Sequence, residues 1–427
     1  MEGAQRAFLL WRSTDLAARS GLLRRAADLL EERKERFAAL MAAEMGKPVA
    51  QGRAEVEKCA LGCRFYADRA AEFLAPESIQ TEASKSYVAF QPLGVLLAVM
   101  PWNFPLWQVF RFAAPALMAG NAALLKHASS VSGCALAIGE IFRDAGFPDG
   151  LFGVLLLRAG AVERVLERPE VRAVTLTGSA EAGRAIAAAA GRLLKKSVLE
   201  LGGSDPYVVL EDAPLTPTVE TCVASRLTNS GQSCIAAKRF IVVEKVRREF
   251  QDRFVSRMRG VRMGDPMDES VDLGPLARRD LRDALHRQVV ESVRKGANIA
   301  LGGEIPAGRG AFYPPTVLID VAPGMPAYHE ETFGPVAAII AARDEADAIR
   351  IANDSPFGLG AAVFTRDTER GERIAAGSLD AGSCFVNAQV RSDPRLPFGG
   401  IKDSGYGREL GPFGIREFVN VKTVWVR

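Results

Sequence analysis

Histidine and cysteine are scarce in this chain, with 3 and 6 among 427 residues. So few cysteines exclude a disulfide framework, and a reducing, cytoplasmic setting is the expectation. Cys59 and Cys63 lie four apart in a helical stretch. None of His127, His286 and His329 stands at ligand spacing with them, so they read as buried or idle thiols and no metal site is expected. Net charge is almost absent too, at +3, which gives no reason to expect nucleic acid or an anionic membrane as partner. The charges are mixed, as in "EERKERF" (Glu31–Phe37), a solvated helix face. Long apolar runs are missing. The longest, Gly94–Met100, stops at Pro101, far short of a membrane span. "FLL" at Phe8–Leu10 is too short for the core of a secretory signal. There is no low-complexity tract either, since the 40 glycines and 23 prolines are spread along the chain.

What is present is a globular composition, 48% hydrophobic and 25% charged, over a length that asks for two or three domains. Leu16 to about Met45 keeps the helical period through Leu22, Leu23, Ala26, Leu29, Leu30, Phe37, Leu40 and Met41, and Gly46 and Pro48 end it. Apolar runs then alternate with helical stretches. The runs are Gly94–Met100, Ala122–Lys126, Phe152–Leu157, Val171–Leu176, Val198–Leu201 and Tyr207–Leu210. The helical stretches are Leu106–Met118, Ser132–Ala145, Val162–Glu167 and Ala180–Lys195. Buried β followed by α, repeated, predicts an α/β fold with a parallel sheet under helices and ligands at the carboxyl ends of the strands. After Asp212 a second α/β pattern begins. It has helices over Pro217–Ser230, Val246–Arg259 and Arg278–Lys295, and strands at Phe240–Val243, Ala337–Ile340 and Ala361–Phe364. Two isolated strands, Lys85–Pro92 and the terminal "FVNVKTVWVR", predict a small projecting sheet whose free edges invite another subunit.

Three stretches carry chemistry. "NSGQSCIAAKRF" (Asn229–Phe240) holds Cys234 after a glycine and small polar residues. By itself this leaves open a nucleophile or a small core residue, since reactivity needs a thiolate and hence a nearby cation or helix N-terminus. "SVLELGGSDP" sets Glu200 at the end of an apolar strand before two glycines, either as a catalytic carboxylate or as a solvated strand end. "PWNFPLWQVFR" sets Asn103 directly after the strand Gly94–Met100. Aromatics and prolines restrict that amide, which suits an oxyanion donor and equally a turn.

Together these stretches resemble the aldehyde dehydrogenase superfamily along almost the whole chain. Its marks stand in order: "PWNFP", "LLKH", "TGSAEAG", "LELGG", "GQSC", "EETFGPV" and "PFGGIKDSG". Within it, "LLKHASS", "ELGGSDP" and "LGPLARRDLRDALHRQV" are similar to the succinate-semialdehyde dehydrogenases among shorter bacterial enzymes. The resemblance implies a cofactor domain with a parallel sheet, an α/β catalytic domain and a small oligomerisation sheet. It also implies NAD(P)-dependent oxidation of an aldehyde, succinate semialdehyde first, to the acid. Cys234 would be the nucleophile, Asn103 and the Cys234 N–H the oxyanion donors, and Glu200 the base that activates the deacylating water. A broad aliphatic or aromatic aldehyde dehydrogenase, with Trp107 lining an apolar tunnel, is the rival within the class. A silent binding protein that kept the fold is the rival outside it, and the presence of all three catalytic residues argues against it.

No G-x-G-x-x-G follows a strand, so the usual dinucleotide fingerprint is absent. "LTGSAEAG" instead leaves the strand Val171–Leu176 and enters a helix. Gly178 and Gly183 there would let the backbone approach, and Ser179 would bond the pyrophosphate at the positive helix end. The resemblance gives Lys126 to the adenosine ribose, and Glu331 and Phe333 to the nicotinamide ribose. Where many NAD-specific relatives carry a glutamate, this chain has Ser129, so NAD or NADP is expected. Arg111 matches an arginine that grips the substrate carboxylate. A second such arginine is replaced by Thr228, and Ser392 and Arg395 are the candidates for its contact. The expected division is 1–78 with 93–202 for the cofactor domain, 203–408 for the catalytic domain, and 79–92 with 409–427 as oligomerisation strands of a homodimer or homotetramer. The family usually begins with an additional segment of strands, whereas here the chain starts close to its first long helix, which leaves the edge of the cofactor domain open.

Overall fold

The computed structural model describes residues 1–427. Six strands form the first sheet, in the order Gly405–Tyr406, Lys196–Glu200, Val171–Thr177, Val95–Met100, Ala122–His127 and Phe152–Val154. All pair in parallel except Gly405–Tyr406 at the edge. Runs such as "VLLAVM" are buried on both faces, as a helix-covered parallel sheet requires. The chain starts at the central strand Val95–Met100, builds outward through Ala122–His127 to Phe152–Val154, then returns to the other side with Val171–Thr177. The order therefore reverses between Val95–Met100 and Val171–Thr177, and a crevice opens at their carboxyl ends.

The second sheet has seven strands, in the order Asn298–Leu301, Thr316–Ile319, Val336–Ala342, Arg239–Val243, Pro206–Val209, Gly360–Phe364 and Ser383–Val386. Only Asn298–Leu301 runs antiparallel. Alternate residues feed two cores: Val208 and Ile241 on one face, Tyr207, Phe240 and Val242 on the other. The third sheet joins Glu77–Ser78, Lys85–Pro92 and Val419–Val426 in antiparallel fashion. No helix is long and apolar enough to cross a membrane.

Several expected boundaries move. The helix expected over Leu16–Met45 is two, Leu16–Glu32 and Lys34–Met45, because Arg33 leaves the helical region (φ −104°, ψ 15°) and its guanidinium bonds Asp144 at 2.8 Å. The longest helix, Val49–Phe73, was foreshadowed only by its Cys59 and Cys63, whose thiols are buried in the first core. The helix expected to reach Ser230 stops at Leu227, and the one expected to reach Lys195 stops at Arg192. Strand Phe152–Leu157 shortens to Phe152–Val154. Lys85–Pro92 is not a free edge. It is the middle strand of its sheet, with Val419–Val426 along its whole length, so the open edge belongs to Val419–Val426. The boundary expected near residue 408 is crossed twice. Gly405–Tyr406 extends the first sheet, and Leu410, Ile415 and Phe418 pack into the first core.

Candidate active site

A cavity of about 210 Å³ lies in the crevice between the two sheets. Pro101, Trp102 and Asn103 follow the first central strand, Thr177, Gly178 and Ser179 follow its neighbour, and Leu201 and Gly202 follow the third. The opposite wall holds Cys234, Glu331 and Phe333, the last edge-on to Trp102 at 5.7 Å. Sequence-distant candidates are thus brought together at the strand ends.

The loop bearing Cys234 is built rather than loose. Asn229 and Ser230 take left-handed conformations (φ 54° each), which breaks the preceding helix. Asn229 Nδ2 donates to the carbonyls of Asn103 (2.7 Å) and Gln232 (3.0 Å), and Gln51 accepts its N–H at 2.7 Å. At Gly231 (φ 75°) any Cβ would meet Gly334 at 2.3 Å, so the loop lies directly on the "EETFGPV" turn. Buried Lys238 donates to the carbonyls of Ser233, Cys234 and Ala236 at 2.9, 2.7 and 3.0 Å. The Cys234 N–H itself has no acceptor in the fold. Asn103 Nδ2 donates to the Gln232 carbonyl at 3.0 Å, and Gln108 donates to Asn103 Oδ1 at 3.0 Å, so the amide is held and one of its two N–H groups stays free. His127 Nε2 donates to the Pro105 carbonyl at 2.8 Å and helps fix the Asn103 turn. Burial pushes the Cys234 thiol up to about 12, while Lys238 and Arg111 pull it back.

Glu200 is fully buried, and neither carboxylate oxygen has a hydrogen-bond partner. Burial raises its pKa well above the ordinary range, and nearby Glu409 adds to this. Its carboxyl group does not line the cavity. It lies toward Gly399, where a Cβ would stand 2.7 Å from Oε1. Arg111 departs from expectation: its guanidinium is buried in an ion pair with Glu409 and donates to Thr177 Oγ1 at 3.3 Å. Its charge is committed inside the protein and lines neither cavity described here.

On the cofactor side, Ser179 caps the helix Ala180–Arg192, accepting the Ala182 N–H at 3.2 Å. A Cβ at Gly178 would meet nothing closer than 3.5 Å, so this turn leaves room for a ligand beside the helix end. Gly183 corrects the expectation of backbone approach. A Cβ there would meet Leu201 at 2.6 Å, so the glycine lets the helix sit on the strand end. Lys126 ends the strand Ala122–His127, its pKa lowered by burial, and Ser129 is exposed at the head of the next turn. Neither lines the 210 Å³ cavity, which places them further along the sheet's carboxyl edge. Glu331 accepts the Gly203 N–H at 3.0 Å and lies 3.7 Å from Lys238. The donors present fit a dinucleotide: a helix end, an open glycine turn, a lysine and an exposed hydroxyl.

A second cavity, about 550 Å³, lies on the other side of the Pro101–Gln108 segment. Phe104 and Trp107 face it, with Leu227 and Thr228 from the Cys234 loop and Lys58 from the helix Val49–Phe73. Ser392 is buried and accepts from Trp107 Nε1 (3.1 Å) and Lys58 Nζ (2.7 Å). Arg395 is not at the cavity. Its side chain is exposed and paired with Asp393 at 2.7 Å. Sequence reasoning missed Lys238, Gln108, Glu409 and Lys58. For Lys238 the signal was there, a lysine four residues after the cysteine in "SCIAAK".

The sequence profile of the aldehyde dehydrogenase family matches residues 1–424. A probable succinate-semialdehyde dehydrogenase (NADP(+)) of Synechocystis sp. is 52% identical over 423 residues, covering 99% of this chain and 93% of the relative. Succinate semialdehyde dehydrogenase (NAD(P)+) Sad of Escherichia coli is 49% identical, covering 97% and 90%. The crystal structure of succinic semialdehyde dehydrogenase from Streptococcus pyogenes in complex with NADP+ superposes with a TM-score of 0.97 at 37% identity, covering 100% of this chain and 93% of that one.

Proposed function

The chain belongs to the aldehyde dehydrogenase family, and on that premise we propose that it oxidises succinate semialdehyde to succinate through a covalent adduct on Cys234, with NAD or NADP as hydride acceptor. The observation that carries this reading is a convergence in one cavity. A cysteine with a free N–H meets a held asparagine amide and an open glycine turn at a helix end.

Cys234 passes its proton to solvent water at the cavity, the thiolate being favoured by Lys238 and Arg111, and the sulfur attacks the aldehyde carbon. As the S–C bond forms, the carbonyl electron pair moves to oxygen, where the Cys234 N–H and the Asn103 amide receive it. Lys126, Ser129, Gly178, Ser179, Glu331 and Phe333 hold the cofactor, which supplies the acceptor for the hydride leaving that carbon. The oxyanion pair then re-forms the carbonyl as a Cys234 thioester. Glu200 swings from its buried position toward the cavity and takes a proton from water. The hydroxide adds to the thioester, the C–S bond breaks, and Cys234 leaves as thiolate. Arg111, paired with Glu409 behind Glu200, is a positioning charge: it favours the ionised form of both Glu200 and Cys234.

The names of the relatives support the substrate and the use of NADP. The open edge Val419–Val426, with Val421, Trp425 and Val426 exposed, supports a homodimer or homotetramer joined by strand pairing. An initial-rate panel of aldehydes with both cofactors tests the assignment. Succinate semialdehyde should exceed butanal and benzaldehyde in kcat/KM, and Cys234→Ala should abolish turnover while still binding cofactor. Neutral aldehydes outrunning succinate semialdehyde would refute the substrate, and a turning-over alanine variant would refute the chemistry.

A further inference from the structure

A preference for an aldehyde that ends in a carboxylate over a neutral one is favoured by a cation on the aldehyde's side of Cys234. The two arginine candidates are not placed to provide it: Arg111 is ion-paired with Glu409 inside the protein and lines neither cavity, and Arg395 is held by Asp393 in solvent. The 550 Å³ cavity does contain an unpaired one. It has no lining residue in common with the cysteine site, but one segment of chain lies against both. Phe104 and Trp107 alternate with Asn103 and Gln108 on one segment, and Thr228 leads into the loop that ends at Cys234. We propose that Lys58 is the residue that reads the substrate's carboxylate, with Ser392 holding its ammonium in place.

Every other charge lining that cavity is occupied. Glu269 pairs with Arg53 at 2.6 Å, Arg257 pairs with Glu220 at 2.9 Å, and Glu55 pairs with Lys47. Asp272 accepts the Arg262 N–H at 3.0 Å. Lys58 alone has no carboxylate partner. Its ammonium donates to Ser392 Oγ at 2.7 Å and sits 4.4 Å from the centre of the Trp107 ring. An ammonium has three N–H donors. One goes to the hydroxyl and one faces the ring, which leaves one for a ligand in the cavity. The ring and the hydroxyl fix a side chain that is otherwise long and mobile, which lowers the entropy cost of gripping a ligand. Burial and the Arg111 charge depress its pKa to about 8, so it is still mainly charged at neutral pH while poorly solvated. A carboxylate arriving there gains a charge-assisted contact that a neutral aldehyde does not.

This inference rests on succinate semialdehyde being the substrate, so the wild-type enzyme is first measured with succinate semialdehyde and with butanal. Lys58→Met should raise KM for succinate semialdehyde by about tenfold or more with kcat little changed, and leave butanal kcat/KM unchanged or higher. Lys58→Arg should recover part of the loss. Equal losses on both aldehydes would mean a structural role and overturn the proposal. So would an unchanged KM in the methionine variant of an enzyme that prefers the acid. A wild type that prefers butanal refutes the substrate reading itself and removes the ligand assigned to Lys58. The two failures are told apart because the second appears before any substitution.

Discussion

Gly203 offers a sharp test of how closely the nucleophile is positioned. Its φ lies outside the left-handed region, so alanine carries no backbone penalty there. An added Cβ would stand 2.6 Å from the Cys234 carbonyl oxygen, 3.0 Å from Asp205 Oδ1 and 3.2 Å from Leu359 Cβ. Ordinary contacts begin near 3.4 Å, so the cysteine loop has to retreat by about 0.8 Å to restore van der Waals separation. The loop resists, because Lys238 holds the same carbonyl at 2.7 Å. Misplacing a reacting group by about 1 Å costs about a hundredfold in rate, so a displacement of about 0.8 Å predicts a loss of about fortyfold in kcat. Overpacking by one methyl group costs about 1–3 kcal/mol of stability, which should leave the protein folded. The assay measures kcat at saturating aldehyde and cofactor beside the alkylation rate of Cys234 and the thermal midpoint. The expected result is a folded variant that binds cofactor, with kcat down about fortyfold. A folded Gly203→Ala enzyme with kcat within about twofold of wild type would show that this contact does not set the position of the thiol.

Glu200→Gln should release a burst of reduced cofactor and then stall, and a normal steady-state rate would contradict the base. Burial raises the Glu200 pKa, and a base acts only when ionised. Deacylation should therefore be full above that raised pKa and fall away as pH drops through it, giving kcat an acid limb well above 4.5 that a burst experiment assigns to the second half of the reaction. Ser129→Glu brings a carboxylate near a 2′-phosphate. At an exposed position the repulsion should cut NADP kcat/KM by about tenfold and change NAD much less, and equal losses would show that the position faces elsewhere. Sedimentation at micromolar protein should show an oligomer, and a single 45.9 kDa species would refute pairing along Val419–Val426.

The strand-and-turn elements of the site were legible because their signals are local. Asn103, Gly178 and Glu200 each sit where an apolar run ends, and short apolar runs repeated between helical stretches read as buried parallel strands. The fold class followed from the same alternation. What stayed hidden depends on tertiary pairing. Arg111 looks like a ligand-binding arginine until Glu409, nearly three hundred residues later, lies against it. Lys58 looks like one more charge on a mixed helix until Ser392 and Trp107 are seen around its ammonium. The break at Arg33 is likewise a decision of the environment, since the sequence keeps a helical pattern through it.

The two halves of the reaction centre come from different sheets. Asn103 and Glu200 belong to the first, Cys234 and Lys238 to the loop leading into the second. A thiol and its oxyanion donor must be fixed to within a fraction of an ångström, which a mobile hinge between domains would not allow. The fold answers this with hydrogen bonds that cross the junction at the nucleophile itself. Asn229 holds the Asn103 carbonyl, Asn103 holds the Gln232 carbonyl, and Gln51 from the long helix accepts the Asn229 N–H. The left-handed pair Asn229–Ser230 is the local strain required to aim those groups across the gap. The same Pro101–Gln108 segment lies against both cavities, with Asn103 and Gln108 on one and Phe104 and Trp107 on the other. On the proposed reading, that arrangement lets the carbon bonded to sulfur present its hydrogen to the cofactor while the carboxylate end of the same substrate stays with Lys58.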